Sequence, residues 1–452
     1  MHGVIPVVTP EEMAAVDAAA PEPVEILVRR AGGAVARAAV QALGGTYGRR
    51  VVVVAGKGNN GADGREAARR LRRAGARVTV LDAGGHHTEV PPCDLVIDAA
   101  YGTGFRGDWR PPHPRGAPVL AVDIPSGVDG RTGEASPEVL AAVRTVTFAA
   151  LKPGLLLGRG PDLAGEVVVA DIGLDVGRAA KARLVTDGDV GGWLPSRPRQ
   201  THKWKSAVWV VAGSPGMSGA ATLAARGALR AGAGYVRLST PGAPPGHVAP
   251  LEAVGWPLAA EGWADDVLAD AGRFRAVVVG PGLGGGEEMA GEVRRLVRSC
   301  PVPVVVDGDG LAALDGAECA GLAPSTVLTP HDGEYRRLCG HPPAADRLGA
   351  ARELATATGA VVLLKGSTTV VAGPEGPALL AAAGDARLAT AGTGDVLSGV
   401  VGALLAAGLD PPVAAAAAAH VHGRAAALGW PWGLVAGDLP ELLPAVLQQL
   451  GG

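Results

Sequence analysis

Short valine-rich runs that break into glycine, hydroxyl and acidic residues recur along this chain, and that pattern leaves few folds open. Arg50-Val-Val-Val-Val-Ala55 runs into Gly56-Lys-Gly-Asn-Asn-Gly-Ala-Asp-Gly64. A helical stretch from Arg65 to Ala74 follows, and Arg77-Val-Thr-Val-Leu-Asp82 reads as the next strand. Runs that are apolar throughout belong to strands buried on both faces, and a strand, glycine turn, helix and strand make a parallel crossover unit. The class is therefore α/β with doubly wound sheets, whose ligands sit at the carboxyl edge of the strands.

More strand ends deliver polar groups to such an edge. Cys93-Asp-Leu-Val-Ile-Asp98 leads into Ala99-Ala-Tyr-Gly-Thr-Gly-Phe-Arg-Gly-Asp108, and Val119-Leu-Ala-Val-Asp123 into Ile124-Pro-Ser-Gly-Val-Asp-Gly130. Strands at Thr145–Phe148 and Glu166–Ala170 follow, with Lys152 in the loop between them. Ahead of these, Thr9-Pro-Glu-Glu carries a helix-start signature, and residues 22–42 read as a second helix. Asn60, Asp98 and Ser126 offer hard oxygen ligands on these edges, which suit a monovalent or divalent cation; no His or Cys joins them, so zinc is not expected. Asp123 is placed for acid/base work with Lys152 as partner, or else stabilises the turn before Pro125.

Residues 174–200 lose the strand pattern, with the linker placed near 179–185, and then it restarts. Ala207–Ala212, Tyr235–Ser239, Ala276–Gly280, Pro303–Asp307, Thr326–Pro330 and Val361–Leu364 read as six strands that carry loops to one edge. The last loops matter most. Lys365-Gly-Ser-Thr-Thr369 offers an ammonium and hydroxyls to phosphate, or is a solvated hairpin; its spacing is not that of a P-loop. Gly392-Thr-Gly-Asp395 opens an Ala/Leu-rich helix. Free amides at such a tip can cradle an anion. A carboxylate beside that anion hole has the natural task of taking a proton from a hydroxyl about to react with phosphorus, unless Asp395 is an ordinary N-cap. His420 and His422 lie in an alanine run and read as helix-surface or core residues.

At 452 residues the chain exceeds one ordinary core, so two domains are expected, residues 1–180 and 181–452. A formal charge of −3 and few aromatics give no pull toward nucleic acid. Four scattered cysteines form no CxxC pair and suggest a reducing compartment. The longest apolar run is broken by Asp410-Pro411-Pro412, and no basic-then-apolar leader opens the chain, so a cytoplasmic protein with no membrane partner is expected.

The ordered motifs go beyond fold class. GKGNNGADG, DAAYGTG, AVDIPSGVDGRTG, TFAALKPGLLLGRG and GEVVVADIGL resemble the NAD(P)H-hydrate epimerase family, a Rossmann-like three-layer αβα fold. The resemblance implies substrate-binding loops at Asn59, Asn60, Gly61, Ala62 and Asp63 and at Gly102, Thr103, Gly104, Phe105, Arg106, Gly107 and Asp108. It also implies a potassium site at Asn60, Asp98 and Ser126 and a nicotinamide contact at Asp123. Ala62 stands where that family usually has Gly, and its methyl group is expected to crowd the loop.

VVAGSPGMSGAATLAA, VVGPGLG, VVVDGDGLAAL, LTPHDGE, LLKGSTT and TAGTGDVLSGVVGALLA resemble the ADP/ATP-dependent NAD(P)H-hydrate dehydratases, a branch of the ribokinase-like fold. That likeness implies substrate contact at Ala221, Gly282, His331 and Asp395. It also implies nucleotide contact at Lys365, Gly366, Ser367, Thr368, Thr369 and Gly394, magnesium with ADP or ATP, and a homo-oligomer. Gly308 and Gly310 stand where that family often has Ala, and Trp204-Lys205 replaces a glycine-rich entry to the first strand. The expected function is a two-headed repair enzyme: the first half epimerises hydrated NADH and NADPH, and the second dehydrates the S epimer. A ribokinase-type small-molecule kinase would share the Gly-Thr-Gly-Asp device but gives no reason for the first half.

Overall fold

The computed structural model describes residues 5–105, 107, 109–244 and 250–451. The chain divides into two compact units, Ile5–Ala182 and a second that runs from Arg183. No helix among the described residues is long and apolar enough to cross a membrane.

The first unit carries strands β1 (Ile5–Val7), β2 (Arg50–Ala55), β3 (Arg77–Asp82), β4 (Leu95–Ala99), β5 (Val119–Val122), β6 (Arg144–Phe148) and β7 (Glu166–Ala170). Six of them form a sheet in the order β3-β2-β4-β5-β6-β7, parallel throughout. Helices Val24–Leu43 and Asn59–Arg73 cover one face. There Val51, Val53, Leu95, Ile97 and Val122 pack against Ala34, Val35, Ala67 and Leu71. On the other face Val52, Val54, Val96 and Ala121 pack with Leu140, Tyr101 and Trp109. Burial of both faces is why these strands read as unbroken apolar runs. Thr9 closes the capping box expected for helix Pro10–Ala18, accepting from Glu12 N while the Glu12 carboxylate accepts from Thr9 N.

The second unit adds β8 (Ala182–Leu184), β9 (Ala207–Val211), β10 (Tyr235–Ser239), β11 (Val254–Gly255), β12 (Ala276–Val279), β13 (Val304–Val306), β14 (Thr326–Leu328), β15 (Val361–Leu364), β16 (Thr369–Ala372) and β17 (Ala378–Ala381). They order as β8-β17-β16-β15-β14-β13-β12-β9-β10-β11. From β11 across to β15 the neighbours run parallel; β15/β16 and β16/β17 are antiparallel hairpins. The six strands expected from the sequence are the parallel ones β9, β10, β12, β13, β14 and β15.

One face of this sheet carries helices Ser218–Arg230, Thr393–Ala406 and Pro411–Leu428. The first two approach so closely that a Cβ on Gly399 would lie 2.0 Å from the Ala224 carbonyl oxygen. Small residues thus set how deep helix Thr393–Ala406 sits, and with it the height of its N-terminus above the strand ends.

Candidate active sites

In the first unit the carboxyl ends of the strands surround a cavity of about 900 Å³. Asp123 follows β5 with a left-handed backbone (φ 68°), a conformation uncommon outside glycine though tolerated by Asp. Its Oδ1 lies 2.6 Å from Lys152 Nζ and accepts from Thr147 Oγ1 at 3.2 Å. Lys152 is 1% exposed and also donates to Thr147 Oγ1 (2.9 Å) and the Phe148 carbonyl (3.1 Å). The Asp123 side chain is thus part of the cavity wall and is clamped there by a buried ammonium.

Asp98, at the end of β4, is fully buried. It accepts from Ser126 Oγ (2.6 Å), Ser126 N (2.9 Å) and Ala100 N (3.3 Å), and Ser126 Oγ accepts from Tyr101 N at 2.9 Å. Burial pushes the Asp98 carboxyl above the ordinary carboxylate range despite those donors. Close by, both polar atoms of the Asn60 amide are buried without a partner. A Cβ on Gly102 would stand 3.3 Å from Asp123 Oδ2 and 3.6 Å from Asn60 Cγ, so this glycine leaves the gap between them open.

Asn59, Asn60, Asp63, Gly102, Thr103, Gly104 and Phe105 line the same cavity, and Phe105 stacks on Tyr101 with ring centres 4.1 Å apart. Gly61 and Ala62 are in the first turn of helix Asn59–Arg73 and do not contribute to the cavity wall. The Ala62 methyl group, expected to crowd the loop, belongs to that helical turn and is off the cavity wall. Gly107 is described, with φ 123°, and lies off the wall; Arg106 and Asp108 lie outside the described residues.

Asp63 is pushed up to about 8, first by burial and then by the neighbouring Asp123 and Asp17 carboxylates. Asp17 also lines the cavity and is itself raised, by burial first, against the pull of Lys152. Sequence reasoning misses Asp17, whose helix shows only a capping signature; nothing in its spacing points to the strand ends.

In the second unit, Gly392 (φ 92°) is the N-cap of helix Thr393–Ala406 and Asp395 is its third residue. Asp395 is not the cap, and among the described residues its carboxylate has no hydrogen bond or ion pair of its own. Burial pushes it up to about 6, helped by the Asp307 charge and opposed by Lys365.

Lys365, at the end of β15, sends Nζ to Asp307 Oδ1 (2.7 Å) and within 3.7 Å of Glu334 Oε2. Asp307 is buried after β13 and also accepts from Thr329 Oγ1 at 2.7 Å. Burial works against the Lys365 ammonium, but the Asp307 and Glu334 charges outweigh it and raise its pKa. The tip of the Asp395 helix abuts this cluster: a Cβ on Gly394 would lie 3.3 Å from Lys365 Nζ. Asp309 accepts from Gly284 N at 2.8 Å, which ties the Pro281–Gly286 loop to the β13 end.

The remaining expected residues fall around this edge with differing roles. Gly282 and Ala221 meet the turn at Gly213: a Cβ on Gly213 would lie 3.0 Å from Ala221 Cβ, and one on Gly282 would lie 3.6 Å from Gly213 Cα. His331 caps helix Asp332–Cys339, its Nδ1 accepting from Gly333 N (2.9 Å) and Glu334 N (3.2 Å). Gly366, Ser367 and Thr368 form the turn of the β15/β16 hairpin, and Thr369 opens β16. Lys365 does not join those hydroxyls, because two carboxylates attract its ammonium to the Asp395 side. Asp307 and Glu334 join the Lys365 cluster, and the sequence does not announce Glu334. Asp307 carries the one usable signal, since it ends a strand as Asp98 and Asp123 do.

Two family descriptions match the chain. Residues 208–444 match "NAD(P)H-hydrate dehydratase" and residues 24–88 and 82–154 match "YjeF-related protein N-terminus". A bifunctional NAD(P)H-hydrate repair enzyme of Salinibacter ruber is 39% identical, over 89% of this chain and 88% of that one. The Escherichia coli enzyme of the same description is 35% identical, over 83% and 80%. Among solved structures, an ADP/ATP-dependent NAD(P)H-hydrate dehydratase of Bacillus subtilis, co-crystallised with ATP and Mg²⁺, is 31% identical. It covers 59% of this chain and 97% of its own, with a TM-score of 0.50. A ribokinase-like superfamily protein of Enterococcus faecalis shares the fold at 18% identity and TM-score 0.52, over 60% of this chain and 96% of its own.

Proposed function

Because the chain belongs to the bifunctional NAD(P)H-hydrate repair enzymes, we propose that the Asp123 cavity carries epimerisation and the Asp395 edge carries nucleotide-driven dehydration. Hydration of a reduced nicotinamide places a hydroxyl on a ring carbon next to the ring nitrogen. Epimerisation breaks that carbon–oxygen bond and closes it on the other face, so a proton must be given to the departing oxygen and taken back from the returning one. Asp123, Lys152 and Asp63 are placed at this cavity to give and take that proton. Asn59, Asn60 and the Gly102–Phe105 segment would hold the substrate.

A potassium ion suits the residues beside them. The orphaned Asn60 amide and the wholly buried Asp98 carboxylate lack a cationic partner among the described residues. Asn60, Asp98 and Ser126 would hold the ion, and its charge would fix the helix start that carries Asn60 and neutralise the buried carboxylate.

For dehydration, hydroxide is a poor leaving group and phosphate a good one. Asp395 takes the proton of the ring hydroxyl, and the oxygen attacks the terminal phosphorus of ADP or ATP. AMP or ADP departs as the phosphoryl group transfers; phosphate then leaves the ring carbon with its bonding electrons, and the neighbouring ring carbon gives up a proton to solvent as the double bond re-forms. Amides of the Gly392–Asp395 tip and the hairpin Gly366–Thr369 would receive phosphoryl oxygens, with Lys365 balancing charge. Ala221, Gly282 and His331 would flank the nicotinamide.

Among the described residues no three His, Cys, Asp or Glu side chains converge to hold a metal. Magnesium would therefore ride on the nucleotide's phosphates with one or two carboxylates of the Asp307, Asp309 and Glu334 group, which is its usual habit. It would supply charge neutralisation at the phosphates.

The observation that carries this reading is Asp395 itself. It sits at a glycine tip beside Lys365, neither capping nor paired, so its lone pairs are free for a substrate hydroxyl. The test is direct: supply mixed hydrated NADPH epimers with ADP or ATP and follow the return of reduced-nicotinamide absorbance. Full recovery requires both activities. Recovery of the S fraction alone would remove the first, and accumulation of a stable phosphorylated product would favour a small-molecule kinase instead.

A further inference from the structure

The sheet ladder stops short of the turn that would meet the nucleotide. On one side the last pair of β15 is Val362 with Leu328, and in the hairpin the pair nearest the turn is Leu364 with Val370. Lys365 and the Gly366–Thr368 turn lie beyond both. Two main-chain bonds fix the first residue of this stretch. Lys365 N donates to the Pro330 carbonyl at 2.9 Å, and the Lys365 carbonyl accepts from Arg347 Nη2 at 2.6 Å.

Arg347 is the first residue of helix Arg347–Thr358, whose cap Asp346 accepts from Gly349 N at 2.9 Å. Its guanidinium also grips Asp332: Nη1 donates to Oδ2 at 3.2 Å, and Nη2 lies 2.9 Å from Oδ1. Asp332 opens the helix that His331 caps. One side chain thus ties together the start of the His331 helix, the start of its own helix and the Lys365 end of β15. The Arg347 side chain is 17% exposed, and its Nε is buried without a partner. An arginine serving only a surface ion pair would keep Nε in water, since burying it unpaired is costly. This one is drawn inward to the Lys365 carbonyl despite that cost. Gly366 makes room for it: a Cβ there would lie 3.1 Å from Arg347 Nη2 and 3.4 Å from Cζ.

We propose that Arg347 is a positioning residue for the nucleotide, holding the Lys365 carbonyl so that the Gly366–Thr369 amides and hydroxyls stay aimed at phosphoryl oxygens. This inference rests on the nucleotide site of the dehydration reading given above. A planar fork can grip Asp332 and a carbonyl at once, whereas an ammonium is a compact point charge. The role therefore depends on shape and not on charge alone.

The test compares Arg347→Lys and Arg347→Met with the parent chain. Both variants are expected to weaken ADP binding, read as Kd by isothermal titration, by about tenfold, the scale of losing a charge-assisted hydrogen bond. KM for ADP or ATP should rise in step. KM for the hydrated NADPH should stay within about twofold, because the contacts proposed at Ala221, Gly282 and Asp395 lie on other elements. Epimerisation by the same preparations, and a cooperative thermal melt, report that the chain is folded. An ADP Kd in the Met variant within twofold of the parent would overturn the proposal. So would a Lys variant that binds ADP as the parent does, since charge alone would then suffice. A parallel rise of both KM values that tracks a fall in Tm would also overturn it, as general loosening. A parent chain that binds ADP through Arg347 yet restores no reduced cofactor would uphold the positioning role and defeat the dehydration reading instead.

Discussion

Each unit sets an aspartate and a lysine at its strand ends, and the two sites use the pair in opposite ways. In the first, Lys152 Nζ lies 2.6 Å from the proposed acid/base residue Asp123. In the second, Lys365 Nζ lies 2.7 Å from Asp307 and leaves Asp395 without an ion pair. A carboxylate clamped to an ammonium makes a two-member proton reservoir, which suits a reaction that must return what it takes. One that is buried, and left among other carboxylates, has its pKa pushed up to about 6, near the working pH, where a general base is most effective. The backbone agrees: Asp123 is held at φ 68°, whereas Asp395 sits in ordinary helix. Strain of this kind costs of order 1–3 kcal/mol and persists where the surroundings impose it. Which acid the lysine selects is therefore what separates the two sites.

The strongest way to break that comparison is Asp395→Asn. Loss of a general base costs about 10²- to 10⁴-fold, so dehydration should nearly vanish while epimerisation continues. A variant that keeps dehydration within tenfold of the parent would mean that Asp395 is not the base. Asp123→Asn should lower epimerisation by about 10²-fold and leave dehydration of the pure S epimer intact. It should also strip a buried ammonium of its partner, at about 3–5 kcal/mol of stability, readable by denaturant titration. Asp395 is not ion-paired, so Asp395→Asn should cost far less stability than this. Equal costs would contradict the asymmetry.

A milder probe is pH. Asp395 must be ionised to accept a proton, and its raised pKa puts the loss on the acid side. Dehydration kcat should be flat above pH 7 and fall through about 6, approaching tenfold per unit below it. Lys365→Met removes the cation that, among the described residues, pulls Asp395 down and should move that limb to higher pH. A limb that stays in place would show that Lys365 does not tune Asp395.

How much of this is legible in sequence depends on whether the feature is local. The valine runs specify buried parallel strands because both faces of each are covered, and they can be read residue by residue at β2, β9 and β12. Gly392-Thr-Gly-Asp395 is a local device too, and its geometry follows from the missing Cβ atoms. Convergence is not local. Asp17 reaches the first cavity from a helix whose sequence signals only its own start, and Glu334 reaches Lys365 from the capping box of another. His331 carries the same lesson, since its imidazole serves that box through Nδ1. His422 reads in sequence as a helix-surface or core residue, and it is buried as a core residue is.

The smallest expected effect concerns Ala62. If the first cavity depended on the usual glycine of its loop, Ala62→Gly would sharpen substrate binding. In the structure Ala62 is the fourth residue of helix Asn59–Arg73, bonded N–H to the Gly58 carbonyl at 3.0 Å, and it does not line the cavity. From that place its methyl group is expected to act on helix propensity more than on the ligand. Ala62→Gly should change the epimerisation KM by less than about twofold and cost about 0.5–1 kcal/mol in stability, the ordinary penalty for glycine inside a helix. Paired measurements of KM and unfolding free energy separate the two effects. A several-fold fall in KM would place residue 62 against the substrate and would mean that the loop closes further in the complex than the free chain shows.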